Sequence, residues 1–75
     1  MITIYGKSNC PYCKKAIKYC EVYDLPYEYI DIEKKESWFK EYLKNVSKMT
    51  TVPIIYENKD KLIGGYNELV NYYKE

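Results

Sequence analysis

The chain has no histidine, and each of its 12 basic residues is lysine, so it has no arginine either. Structural zinc sites use four ligands, generally a second cysteine pair or a pair of histidines. With no histidine and only three cysteines, a zinc centre within one chain is not expected, although one shared between chains stays open. Without arginine there are no bidentate forks for carboxylates, so a bound anion must be held by point charges and backbone dipoles. The 12 lysines against 11 acids leave a formal net charge of +1. That balance supplies no footprint for nucleic acid and no attraction to an anionic membrane. No apolar run approaches the roughly 20 residues that span a bilayer. The start, Met1-Ile2-Thr3-Ile4-Tyr5, lacks the basic residues and longer apolar stretch of a secretory signal, so a cytoplasmic, reducing setting is expected. Repeats, linkers and low-complexity segments are also missing. Residues 1–75 have the length of one small domain.

Against these absences stands a wealth of aromatic residues. Hydrophobic residues make up 47% of the chain, with eleven tyrosines, one phenylalanine and one tryptophan. Large rings bury much area each, which helps a thin core.

The most informative stretch is Cys10-Pro11-Tyr12-Cys13. A helix starting near Pro11 places Cys10 at its N-terminus, where free N–H groups and the positive end of the dipole favour a thiolate. Pro11 suits the first turn, because its missing N–H costs nothing there. Cys13 then lies close enough to attack a disulfide formed at Cys10. One activated thiol with a resolving neighbour is the chemistry of thiol–disulfide exchange. A permanent structural disulfide is the competing reading, but so short a loop stabilises a fold least. No metal site is assigned.

The remaining chain reads as alternating elements. Ile2 to Tyr5 is a short strand, and Gly6-Lys7-Ser8-Asn9 is turn chemistry leading to the cysteines. The first helix runs from about Pro11 to Tyr23, burying Ala16, Tyr19, Cys20 and Tyr23 and exposing Lys14, Lys15, Lys18 and Glu21. Cys20 is expected to pack as an inert small hydrophobe. Tyr27 to Ile32 is a second strand with apolar residues on both faces, implying cover on both sides. Strand, helix and strand make a right-handed βαβ unit. Ser37 is the expected cap of a second helix, whose residues Trp38, Phe39, Tyr42, Leu43 and Val46 form a broad face assigned to the core. Ser47 to Thr50 reads as loop. Thr51 to Tyr56 is a third strand, with Pro53 at its entry. Glu57 to Asp60 is a tight turn into Lys61-Leu62-Ile63, giving an antiparallel hairpin. After Gly64-Gly65 a last helix, Asn67 to Lys74, buries Leu69, Val70 and Tyr73. The order is βαβαββα.

Gly6-Lys7-Ser8-Asn9-Cys10-Pro11-Tyr12-Cys13, Thr51-Val52-Pro53 and Gly64-Gly65-Tyr66-Asn67-Glu68-Leu69 together resemble the glutaredoxin family. The resemblance covers nearly the whole chain. It implies an α/β, thioredoxin-like fold, with a four-stranded mixed sheet flanked by three helices. It implies Cys10 as nucleophile, Cys13 as second thiol, and a cis Pro53 beside them. It also implies a glutathione site: Lys7 toward the glycine carboxylate, Tyr12 along the groove, and Thr51, Val52 and Pro53 beside the cysteinyl part. Gly65, Tyr66, Asn67 and Glu68 would receive the γ-glutamyl end. On that resemblance glutathione is co-substrate, no cofactor is bound, and the protein is a monomer. Its partners would be disulfide-containing proteins, with electron supply to ribonucleotide reductase as the physiological task. Two departures are visible. Members often carry Arg before and Gln or Arg after the Thr-Val-Pro motif, where this chain has Lys48, Met49, Thr50 and Ile54. They prefer Ser or Asp and then Asp after the glycine pair, where this chain has Asn67 and Glu68. Two alternatives remain open: a small redoxin served by a thioredoxin-reductase-like enzyme, and a dimer holding an iron–sulfur cluster through Cys10 and glutathione.

Overall fold

All five residues of the first strand, β1 (Ile2–Gly6), are buried, so this strand has cover on both faces. The computed structural model describes residues 1–73, and the remaining elements surround β1. They are α1 (Pro11–Val22), β2 (Tyr27–Asp31), a 3-10 turn (Ile32–Lys34), α2 (Ser37–Ser47), β3 (Ile54–Glu57), β4 (Lys61–Gly64) and α3 (Tyr66–Tyr73). Lys74, expected at the end of the last helix, lies outside the described residues. The sheet order is β2-β1-β3-β4. Strand β1 runs parallel to β2 and antiparallel to β3, and β3 and β4 form the hairpin. This is the element order that the pattern predicts, and the four-stranded mixed sheet with three helices that the resemblance implies.

Period-two alternation divides the core. Ile2, Ile4 and Ile55 point to one face and pack with Ala16 and Cys20 of α1 and Leu69 of α3. Tyr5 and Ile54 point to the other, with Ile32 and Leu43. The hairpin turn carries Asn58 and Lys59 at φ 57° and 69°. Positive φ at both central residues matches the right-handed strand twist.

Six local expectations are corrected. Helix α1 stops at Val22, and Tyr23 is 62% exposed rather than buried. Asp24 turns the chain in the left-handed region at φ 55°, and the buried stripe sits earlier, at Cys13, Ala16 and Cys20. In α2 the cap position is Glu36, without a side-chain bond, and Ser37 is the first helical residue. Only one stripe of α2 meets the sheet: Phe39 is half-buried, and Leu43 and Ser47 are buried. Trp38, Tyr42 and Val46 are 64%, 55% and 49% exposed, because each precedes a packed residue by one position, about 100° around the helix. Ser47 belongs to the helix rather than the loop. Its hydroxyl donates to the Leu43 carbonyl at 2.7 Å and accepts from the Met49 N–H at 3.2 Å. Strand β2 ends at Asp31, so Ile32 is buried from the 3-10 turn. Strand β3 starts only at Ile54, leaving Thr51 and Val52 in a bend.

Candidate active site

The loop from Gly6 to Asn9 delivers the chain from the sheet to α1. Cys10 takes the N-cap position with an extended backbone, and Pro11 follows inside the first turn. The Cys10 carbonyl accepts the first helical bond, from the Lys14 N–H at 3.2 Å. Cys10 is half-buried, whereas Cys13, one turn on, is 1% exposed. All three cysteines are free thiols.

These placements separate the two thiols chemically. Burial pushes Cys10 up. The Cys13 thiol, the N–H groups of Cys13 and Tyr12 and the charge of Lys7 outweigh it, and the thiol is held below its ordinary value. Cys13 is pushed up to about 12, first by burial and then by its hydrogen bond with Cys10. One thiol ionises readily at the surface, and its neighbour keeps its proton beneath. Cys20 is pushed up to about 11, mainly by burial, which fits inert packing.

The bend before β3 closes the other side. The Val52–Pro53 peptide is cis, and Cys10 Sγ lies 3.8 Å from the Val52 carbonyl oxygen. Thr51, Val52 and Pro53 line a groove of about 300 Å³ together with Tyr12, Gly65 and Glu68. Tyr66 and Asn67 line it too. Eight of the nine residues expected to receive glutathione therefore share one groove.

The ninth, Lys7, lines an adjoining groove of about 450 Å³ that also includes Thr51 and Val52. Lys7 Nζ sits 3.9 Å from Glu33 Oε2, an exposed pair of small energetic weight. Sequence reasoning missed Lys40 and Lys44, which line this second groove from α2. Their spacing of four residues, on the stripe just behind Leu43, was the available signal. It also missed Met49, which lines both grooves. The turn before α3 holds a further difference. The Gly65 N–H, expected to face a ligand carboxylate, donates to Glu68 Oε1 at 3.0 Å. This is half of a capping box, with the third helical residue reaching back to the cap.

Comparison with known proteins points the same way. The glutaredoxin family model matches residues 2–63. Glutaredoxin-2 of Schizosaccharomyces pombe is 36% identical over 70 residues, covering 91% of this chain and 63% of that protein. The chain thus spans just under two thirds of that relative. Glutaredoxin 1 of Escherichia coli is 35% identical over 79 residues, covering 96% of this chain and 91% of the relative. Among solved structures, a buckwheat glutaredoxin–glutathione complex superposes with a TM-score of 0.85 at 22% identity, covering 97% of this chain and 67% of the other.

Proposed function

The chain belongs to the glutaredoxin family of thiol–disulfide oxidoreductases, and on that footing we propose that it reduces glutathione mixed disulfides and protein disulfides at the expense of glutathione. The observation that carries this reading is the placement of Cys10 at the N-cap of α1, 3.8 Å from the Val52 carbonyl oxygen, with Cys13 buried one turn on. The lowering of Cys10 and the raising of Cys13 accord with it. In the monothiol route, the Cys10 thiolate attacks the glutathione sulfur of a mixed disulfide. A Cys10–glutathione bond forms, the old S–S bond breaks, and the substrate thiolate leaves and takes a proton. A second glutathione, as thiolate, attacks the glutathione sulfur of that intermediate, releasing glutathione disulfide and the Cys10 thiolate. In the dithiol route, the Cys10 thiolate attacks one sulfur of a substrate disulfide. The substrate S–S bond breaks, a Cys10–substrate mixed disulfide forms, and the other sulfur leaves as the first thiolate and takes a proton. Cys13 then loses its proton and attacks Cys10 Sγ, expelling the second substrate thiolate. The Cys10–Cys13 disulfide is returned to two thiols by two glutathiones, which leave as one glutathione disulfide. Electron supply to ribonucleotide reductase belongs to this dithiol route.

The glutathione cysteine faces Cys10 and the Val52 backbone, as an added strand would. Its glycine carboxylate faces Lys7, with Lys40 and Lys44 adding positive charge in the same groove. At the other end, the N–H groups of the first turn of α3 serve the γ-glutamyl carboxylate. The Glu68 carboxylate beside them attracts the γ-glutamyl ammonium. The buckwheat relative's complex with glutathione supports the same choice of ligand.

The test couples glutathione, glutathione reductase and NADPH to a small mixed disulfide. Protein-dependent NADPH oxidation that Cys10→Ser abolishes is expected. If glutathione drives no turnover but a thioredoxin-reductase-type enzyme reduces Cys10–Cys13, the redoxin reading replaces this one. A visible absorption band in freshly purified protein would instead favour the cluster-holding dimer.

A further inference from the structure

A groove of about 540 Å³ runs along the exposed side of α1, lined by Lys14, Lys15, Lys18, Tyr19, Tyr23 and Tyr66. It adjoins the thiol site. Tyr66 lines both this groove and the smaller one beside Pro53. The Tyr12 and Tyr66 rings pair at 6.1 Å, and Lys15 Nζ stands 4.7 Å above the Tyr12 ring. No acidic residue lines the groove. The salt bridges among the described residues are Lys7–Glu33 and Lys59–Glu28, so none of the three groove lysines is paired there. The next acid along α1, Glu21, accepts a hydrogen bond from the Tyr27 hydroxyl at 2.9 Å. Lys14 and Lys18 are like charges four residues apart, an arrangement that repels unless an anion relieves it. The Tyr19 and Tyr23 rings pair at 4.7 Å, tilted by 47°, and offer apolar surface beside the lysines.

We propose that this groove docks an acidic segment of a substrate protein, flanking the disulfide that Cys10 attacks. The proposal rests on Cys10 being the attacking thiol and deepens that reading. A tripeptide would occupy the grooves beside Pro53, so a partner that reaches the lysines is a longer chain. Helical rise places Lys14 and Lys18 about 6 and 12 Å along the axis from Cys10. An extended peptide advances about 3.3 Å per residue, which puts its carboxylates about two to four residues from the reacting cysteine.

The experiment uses two glutathionylated peptides of equal length, one with Asp at the second to fourth positions from the cysteine and one with Asn there. At low salt, three exposed charge pairs predict a kcat/KM about tenfold higher for the acidic peptide. The preference should collapse at 0.5 M salt, a concentration chosen to shrink the screening length to a few ångströms, as about 3 Å at 1 M implies. It should fall to about twofold in Lys14→Gln/Lys18→Gln, where Lys15 alone remains of the three, while turnover of a small mixed disulfide stays unchanged. Equal rates for the two peptides at low salt would overturn the proposal. A second readout separates its failure from that of the glutathione reading: the acidic peptide with Ser for Cys is titrated into the reduced protein by NMR. Shifts confined to α1 and Tyr66, lost in the double variant, sustain the docking even if glutathione drives no turnover. Absence of such shifts, with turnover intact, removes the docking alone.

Discussion

Gly6 lies so close beneath Cys13 that a β-carbon at position 6 would stand 2.5 Å from Cys13 Sγ and 3.2 Å from the Tyr29 ring. The bare backbone at the end of β1 is what lets the second thiol settle against the sheet. There burial keeps it protonated until Cys10 needs a resolving partner.

Gly6→Ala should therefore displace Cys13. Overpacking of this kind costs about 1–3 kcal/mol, readable by denaturant unfolding. Reduction of a protein disulfide should fall more than that of a small mixed disulfide, because only the former needs Cys13. Equal losses would show that the glycine serves stability alone.

The thiols should alkylate in a fixed order. Cys10 is held low, with Lys7 contributing to its thiolate, while Cys13 and Cys20 are pushed up to about 12 and about 11. Iodoacetamide at pH 6, followed by mass spectrometry, should mark Cys10 first, and modification of either other cysteine ahead of it would overturn the assignment. Cys13→Ser should keep turnover of glutathione mixed disulfides and lose most reduction of protein disulfides.

Stability should depend on pH with opposite signs for the two kinds of thiol. Cys10, lowered, stabilises the reduced fold above its unfolded value, and this is lost as pH falls through its folded value. Cys20, raised from an ordinary 9.0 to about 11, stabilises the fold fully below 9 and loses that contribution as pH rises toward 11. The limiting slope is about 1.4 kcal/mol per pH unit for one thiol. Tyrosines titrate in the same window, so the useful quantity is the difference between wild type and Cys20→Val. The variant should gain on wild type between pH 9 and 11, and a difference that stays constant over that range would contradict the burial argument.

Lys7→Gln should raise the KM for glutathione several-fold at low salt and lower the reactivity of Cys10. Lys40 and Lys44 share the groove, so binding should survive in weakened form, and Lys7→Gln/Lys40→Gln/Lys44→Gln should weaken it further. Exposed pairs are screened over about 8 Å at physiological ionic strength, so the gap should narrow as salt rises. An unchanged KM at low salt would place the glycine carboxylate elsewhere.

The amino-acid pattern by itself determined the element order and the thiol pair at a helix start. Both rest on neighbours in the chain: Pro11 opens the helix, i to i+3 spacing brings Cys13 beneath Cys10, and turn residues punctuate the strands. The bend at Thr51-Val52-Pro53 and the turn at Gly64-Gly65 were legible as motifs. What tertiary structure decided is everything that depends on distant segments meeting. The Cys10–Val52 approach joins residues 42 positions apart and follows from the placement of β3 beside β1. Which stripe of α2 faces the sheet was hidden, because Trp38, Phe39, Tyr42, Leu43 and Val46 are all apolar. Only docking against Tyr5 and Ile54 selects Phe39 and Leu43, and the same rotation brings Lys40 and Lys44 round to Lys7. Glu68 has no signal at position 68 alone. Its carboxylate reaches the Gly65 N–H because the last helix begins at Tyr66 and leaves that donor without a partner.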